Sequence, residues 1–206
     1  MTTSSPEPAV QSTPRRLSPA RILIGVAALL GFAVVFAVTA GTGPLTRLDV
    51  TAVHVLSAGG QPSGRPYLLW VVSVPSLLVC AVIVLVIAVR RRRGVDGVRA
   101  VALLAAANVL GQVLKKLVLV REPTLLSLHN TYPSGHMIAF ASVAVALGMV
   151  LPAAVHRVYW VIAGIVLAVV AIELVHYGWH RPSDVLGSLL LVTGLAALAG
   201  RTRVRS

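Results

Sequence analysis

Apolar residues run along this chain in long blocks, separated by short segments that carry arginine, glycine or proline. A hydrocarbon core of roughly 30 Å takes about 20 apolar residues to cross as a helix. Six stretches come close to that length: 22 to 41, 67 to 89, 98 to 120, 137 to 155, 158 to 178 and 184 to 200, the last being the shortest. Backbone groups in lipid must bond within their own segment, so each stretch is read as a helix. The pattern predicts an all-α polytopic membrane protein with six transmembrane helices in a bundle. Ahead of them, residues 1 to 17 (MTTSSPEPAVQSTPRRL) are rich in Ser, Thr and Pro with little to bury, which predicts a disordered cytoplasmic tail before an integral membrane domain at 18 to 206. Arg15 and Arg16 before an apolar run also resemble the start of a secretion signal with Ala40 near its cleavage point, but the run is long for a signal core.

Composition agrees with the blocks: 57% hydrophobic residues, 12% charged residues and a mean hydropathy of +0.88 are far from the mix of a soluble domain. The single cysteine, Cys80, excludes an internal disulfide and a thiolate metal cluster. A net charge of +12 raises the question of nucleic acid, but the basic residues sit in short clusters between apolar runs rather than on one solvated face, so no nucleic-acid partner is expected. With six spans, Arg15, Arg16, Arg21, Arg90 to Arg93, Arg99, Arg157, Arg201, Arg203 and Arg205 all fall on one side, twelve of the eighteen Lys plus Arg. The positive-inside rule makes that side cytoplasmic, with both termini, in a multi-pass protein of the cell membrane. Residues 42 to 66, 121 to 136 and 179 to 183 then face outward, and the last two segments hold nearly every chemically interesting side chain.

On the third helix Asn108, Gln112 and Lys116 recur every four residues and Lys115 lies three after Gln112, so all four share a sector of roughly 100°. Charge near the bilayer centre is costly, which turns such a stripe toward a protein interior; the alternative is that both lysines snorkel to the outer interface. The fourth helix opens with Pro133, Ser134, Gly135 and His136. Backbone amides at a helix N-terminus attract anions, glycine allows a ligand close approach and serine adds a hydroxyl, although the same four residues also suit an ordinary turn and cap. At the sixth helix His180 and Asp184 stand four apart around Pro182. If helical geometry reaches back to His180, the carboxylate holds one imidazole nitrogen and leaves the other lone pair free to attack; the bland alternative is that Ser183 or Asp184 only caps the helix. Zinc on His136, His176 and His180 is a weaker option, because surrounding Lys and Arg repel a cation and favour a phosphate.

These residues together resemble the type 2 phosphatidic acid phosphatase (lipid phosphate phosphatase) superfamily, which shares its helical core with vanadium haloperoxidases. Of its three motifs, Pro-Ser-Gly-His matches in full at Pro133 to His136, and the end of the third matches as His180 and Asp184. The likeness covers about residues 60 to 200. Two departures stand out. In the first motif six residues usually separate Lys from Arg-Pro, whereas Lys115 leaves five and Lys116, the preferred match, four before Arg121 in "REP". In the third motif the Ser-Arg pair falls on Glu173 and Leu174, so the phosphate-binding arginine is missing.

The resemblance implies a metal- and cofactor-independent phosphatase acting on a lipid phosphate or diphosphate: a polyprenyl phosphate, phosphatidic acid or phosphatidylglycerol phosphate. His180 would attack phosphorus and form a phosphohistidine, Asp184 would orient it, and His136 would protonate the leaving oxygen and later activate water. Lys116, Lys115, Arg121, Ser134 and Gly135 are the candidates for stabilising the phosphoryl oxygens. Arg181, directly after the nucleophile, either replaces the missing arginine or anchors on lipid headgroups. The irregular first motif and the missing arginine also fit a non-catalytic lipid-phosphate binder or transporter, against which stands the retention of both histidines and the aspartate. Six membrane spans with little soluble mass argue against a haloperoxidase. Oligomeric state is not legible.

Overall fold

The computed structural model describes residues 17–57, 67–121 and 130–199. Apart from Leu17, the tail expected at 1 to 17 lies outside them, as do residues 58–66 and 122–129 of the segments expected to face outward. The described residues are all-helical: α1 (Pro19–Thr39), α2 (Pro44–Leu56), α3 (Tyr67–Trp70), α4 (Val74–Arg90), α5 (Gly94–Val113), α6 (Gly135–Val150), α7 (His156–His176) and α8 (Pro182–Ala199). Four helical segments among them are long and apolar enough to cross a membrane: Pro19–Thr39, Gly94–Val118, Ala153–His176 and Pro182–Ala199. Val74–Arg90 and Gly135–Val150 are apolar but shorter.

Both short helices are trimmed by local chemistry that a hydropathy window does not register. The stretch expected as one span from residue 67 is divided into α3 and α4. Ser73 stops it: its hydroxyl accepts from the Ser76 amide and the Ser76 hydroxyl accepts from the Ser73 amide, a reciprocal cap with Pro75 inside the first turn. The fourth stretch ends at Val150, because Pro152 has no amide to continue the ladder, and a single 3-10 turn at Ala153–Val155 leads into α7.

Large apolar residues cover the outside of the bundle, Leu23, Leu30, Val79, Ile165 and Ile172 among them. The interior combines apolar clusters, Tyr132, Ile138 and Leu191 in one and Met137, Val170 and Leu174 in another, with close contacts at small residues, as in helix packing within membranes. The closest pairing is α1 against α8. A Cβ on Gly25 would meet Leu198 at 2.7 Å and one on Gly194 would meet Leu29 at 2.7 Å, so glycine at both crossing points lets these backbones approach. From the third-helix stripe, Asn108 turns inward and donates to Ser142 Oγ of α6 at 3.0 Å.

One helix was not expected. Residues 42 to 66 read as a loop, yet 44 to 56 form α2, started by Pro44. Its buried positions Thr46, Asp49 and Val53 lie on one face, while Leu45, Leu48, Val55 and Leu56 are exposed on the other. An outward apolar face over a polar inward face suits a helix at a membrane interface, and 13 residues are too few to span.

Candidate active site

The end of α1, α2, the end of α5, the start of α6 and the start of α8 meet at one end of the bundle. Asp184 is the fully buried centre of that end. It occupies the third position of α8, and from there its Oδ2 reaches back to accept from the Arg181 amide at 2.9 Å. The same oxygen takes the His180 Nδ1–H at 3.3 Å. Helical geometry does not extend to His180, which precedes the helix; the capping carboxylate makes the contact instead. Holding Nδ1–H leaves the Nε2 lone pair of a neutral imidazole available. The contact that caps the helix and the contact with His180, read from the sequence as alternatives, are thus made by one side chain.

His136 sits at the second position of α6, with Ser134 as cap. Its ring centroid lies 6.5 Å from that of His180 and 5.6 Å from the Trp179 side chain. The two histidine motifs, 44 residues apart in sequence by their numbering, therefore share one site. They are joined through the backbone: the Ser134 amide donates to the Asp184 carbonyl at 3.3 Å, and the Ser188 hydroxyl lies 3.0 Å from the Ser134 carbonyl and 2.7 Å from that of Asp184.

This placement changes the roles expected of several residues. The Ser134 amide, offered to an anion on sequence grounds, is already given to Asp184, and its hydroxyl accepts from the Met137 amide at 3.4 Å. Gly135 at the first position of α6 keeps an amide with no intrahelical acceptor, and Gln112 Nε2 stands 3.1 Å from where a Cβ would be, so the site has little room there. Arg121 is buried: Nη1 donates to Asp184 Oδ1 at 2.7 Å, Nε to the Thr39 carbonyl at 3.0 Å, and Nη2 to Ser183 Oγ at 3.0 Å and to the Thr39 hydroxyl. Most of its donors are thereby committed to protein.

Lys116, the preferred lysine, is exposed, whereas Lys115 is half-buried and near enough to both Asp184 and His136 to act on them electrostatically. The reason is the end of α5, where regular geometry gives way to a wide π turn at Leu114–Val118 and the 100° step no longer holds. Asn130 pins that turn, its amide donating to the Lys115 carbonyl at 2.9 Å and to the Leu119 carbonyl.

Arg181 is buried among Arg121, Asp184 and Asp49, not laid out on the surface as a headgroup anchor. Burial and the neighbouring Arg121 hold its pKa below the ordinary arginine value, with Asp184 and Asp49 opposing. Leu174, where the missing arginine would stand, is fully buried in an apolar cluster with Met137, Val170 and Val185. Its carbonyl accepts from the amides of Trp179 and His180 at 3.0 and 3.1 Å, so this residue fixes the backbone leading to His180. Gly178, at φ +67°, makes the turn in between. His176 does not join the site; its Nδ1 lies 2.8 Å from the Leu56 carbonyl at the end of α2. Among the described residues no three His, Cys, Asp or Glu side chains form a metal-ligating group.

Two site residues were missed. Asp49 of α2 accepts from the Ser183 amide at 2.9 Å and from the Ser183 hydroxyl, and lies 3.9 Å from Arg121 Nη2. Tyr132 is fully buried; it donates to the Phe32 carbonyl at 2.7 Å, and its ring lies 5.5 Å from the Arg121 guanidinium carbon. A Cβ on Gly187 would come within 2.3 Å of the Tyr132 hydroxyl, which explains the glycine in α8. The one acidic residue of α2 was the signal available for Asp49, since a buried carboxylate requires a partner; nothing local marked Tyr132.

No protein-family model matches the chain, and no curated protein does. Among solved structures it is similar to one described as the first transmembrane PAP2 type phosphatidylglycerolphosphate phosphatase, from Bacillus subtilis, with 23% identity over 85% of this chain and 93% of that one and a TM-score of 0.67. The chain accordingly has the fold of a transmembrane PAP2-type phosphatase, in agreement with the superfamily resemblance carried by Pro133 to His136 and by His180 and Asp184.

Proposed function

We propose that this protein is a membrane phosphatase that hydrolyses a lipid phosphate or diphosphate through a phosphohistidine. The observation that carries the reading is the pairing of His180 with the buried Asp184 while His136 stands 6.5 Å away, centroid to centroid, at the same helix ends. A carboxylate, an oriented imidazole and a second imidazole are more than binding requires, and they are what in-line transfer uses. His180 Nε2 attacks phosphorus; the bond to the leaving oxygen breaks, and that oxygen takes a proton from His136. His136, now neutral, removes a proton from water, whose oxygen attacks phosphorus and releases the His180 nitrogen. Asp184 supports the imidazolium that forms. Lys115, Arg181 and the Gly135 amide are the groups assigned to the phosphoryl oxygens.

In this reading α1, α4, α5, α6, α7 and α8 all cross the membrane. At 1.5 Å per residue α4 and α6 span only about 24 to 26 Å, which supports a reacting end set below the outer surface of the bilayer, where a lipid phosphate resides. The arginine-rich end is cytoplasmic and the reacting end faces outward. The substrate class follows from this position; polyprenyl phosphates or diphosphates, phosphatidic acid and phosphatidylglycerol phosphate all satisfy it.

Two observations favour a second reading, a lipid-phosphate binder that lacks turnover: Leu174 fills with apolar packing the place of an arginine, and Arg121 is held by Asp184. Phosphate release from a panel of lipid phosphates by detergent-purified protein separates the two. Release that vanishes in His180→Ala supports the phosphatase; saturable lipid-phosphate binding with no release from any of the panel supports the binder.

A further inference from the structure

At the opposite end of the bundle, the start of α1, the α4–α5 turn, the end of α6, the start of α7 and the end of α8 line an open cavity of about 1060 Å³. Five arginines line it: Arg21 from α1, Arg91, Arg92 and Arg93 from the turn, and Arg99 from α5. The carboxylate among its lining residues, Asp96, is already engaged by Arg93 Nε at 2.9 Å and Arg99 Nη1 at 3.7 Å. An excess of positive charge is left facing the cavity. Much of the remaining wall is apolar, with Ile24, Met149, Trp160 and Ala196.

The turn that presents the arginines is well held. The amides of Arg91, Arg92 and Arg93 donate to the carbonyls of Ile87, Val89 and Ala88 at 3.1, 2.9 and 2.7 Å, and Arg93 Nη1 reaches the Leu151 carbonyl at 3.4 Å. Arg92 has φ +53°, in the left-handed region that favours glycine. A long cationic side chain thus occupies a position whose backbone would be better served by glycine, at the rim of a basic cavity.

We propose that this cavity binds the headgroup of an anionic phospholipid, its phosphodiester received by Arg21, Arg91 and Arg92 and the adjoining part of its acyl chains lying against Met149, Trp160 and Ala196. Arginine forks match phosphate oxygens in pairs, and basic pockets between membrane helices take acidic headgroups. The apolar wall and the volume exceed what a soluble inorganic anion uses. General attraction of arginines to a charged bilayer needs no cavity, and that difference makes the proposal testable. The site is remote from His180, so a lipid held here is a bound partner and not a substrate, and the inference stands whether or not the other end turns over.

The test uses the full chain in a neutral detergent, titrated with dioleoyl-phosphatidylglycerol or dioleoyl-phosphatidylcholine and followed by native mass spectrometry, with the unfolding temperature of each variant recorded without lipid. Phosphatidylglycerol is expected to be retained at one per protein and phosphatidylcholine not. Arg92→Gly, which suits the backbone and should unfold no earlier than the parent, is expected to weaken retention at least tenfold. Ala196→Phe, which fills the cavity and leaves every charge in place, should abolish it. Equal retention of both lipids, full retention in Arg92→Gly, or full retention in a folded Ala196→Phe overturns the proposal. Displacement of phosphatidylglycerol by inorganic phosphate at equal concentration overturns it too, in favour of a soluble-anion site.

Discussion

Arg121 donates to one oxygen of Asp184 at 2.7 Å while His180 donates to the other at 3.3 Å, so a single buried carboxylate is held between a guanidinium and the proposed nucleophile. Arg121→Ala removes one partner from a buried ion pair, a change that costs about 3 to 5 kcal/mol. The unfolding temperature should fall sharply, with activity lost alongside it. Arg121→Lys keeps the charge but not the fork and should lie between. If Arg121→Ala unfolds like the parent and only KM rises, Arg121 is a direct phosphate contact, as its place in the first motif implies.

His180→Ala should abolish turnover. Asp184→Asn should leave a much slower enzyme, a loss on the order of 10⁴ in kcat being the scale for misorienting a histidine in this way. Labelled phosphate should be trappable on His180 in His136→Ala when the leaving group needs no proton. Full phosphate release by His180→Ala would end the phosphohistidine mechanism.

The two adjacent lysines should separate cleanly. Lys115→Ala is expected to lower kcat/KM by about 10² to 10³, the usual loss on removing one donor from an oxyanion site. Lys116→Ala, at an exposed position, should match the parent within about twofold, the size of effect expected away from such a feature. The reverse ranking would mean that the π turn does not set the register.

Asp49 receives both the amide and the hydroxyl of Ser183, and thereby positions the helix start that carries Asp184. Asp49→Asn loses the charge and one acceptor, which should cost about 1 to 3 kcal/mol. Because Asp49 acts through α8, kcat should fall more than KM rises. A change confined to KM would assign Asp49 to substrate binding instead.

Orientation can be read by thiol labelling in a Cys80→Ser background. Cysteines at Gly41 and Gly94 are suitable, since an added Cβ at either meets nothing within 4 Å. An impermeant reagent should label Gly41→Cys from outside intact cells and Gly94→Cys only after the membrane is opened. Labelling in the reverse order would place the reacting end in the cytoplasm.

The sequence by itself determined what depends on composition and short range. Long apolar blocks can be satisfied only as helices, and Ser134 before Gly135 and Pro182 two residues before Asp184 mark helix starts by local capping chemistry. The pairing of His180 with Asp184 was legible for the same reason, being a contact across four residues. Only the tertiary structure decided what depends on partners far apart in the chain. The bond from Arg121 to Asp184 joins residues 63 apart, and no local pattern marks it. The exposure of Lys116 and the partial burial of Lys115 come with a wide turn whose loosened carbonyls are taken by Asn130. Asp49 lay in what hydropathy reads as a connecting segment, because α2 exposes leucines and buries Thr46 and Asp49 beside Val53, largely the reverse of the pattern by which helices are recognised. Hydropathy records how a segment meets its solvent, and the site is built where segments meet one another.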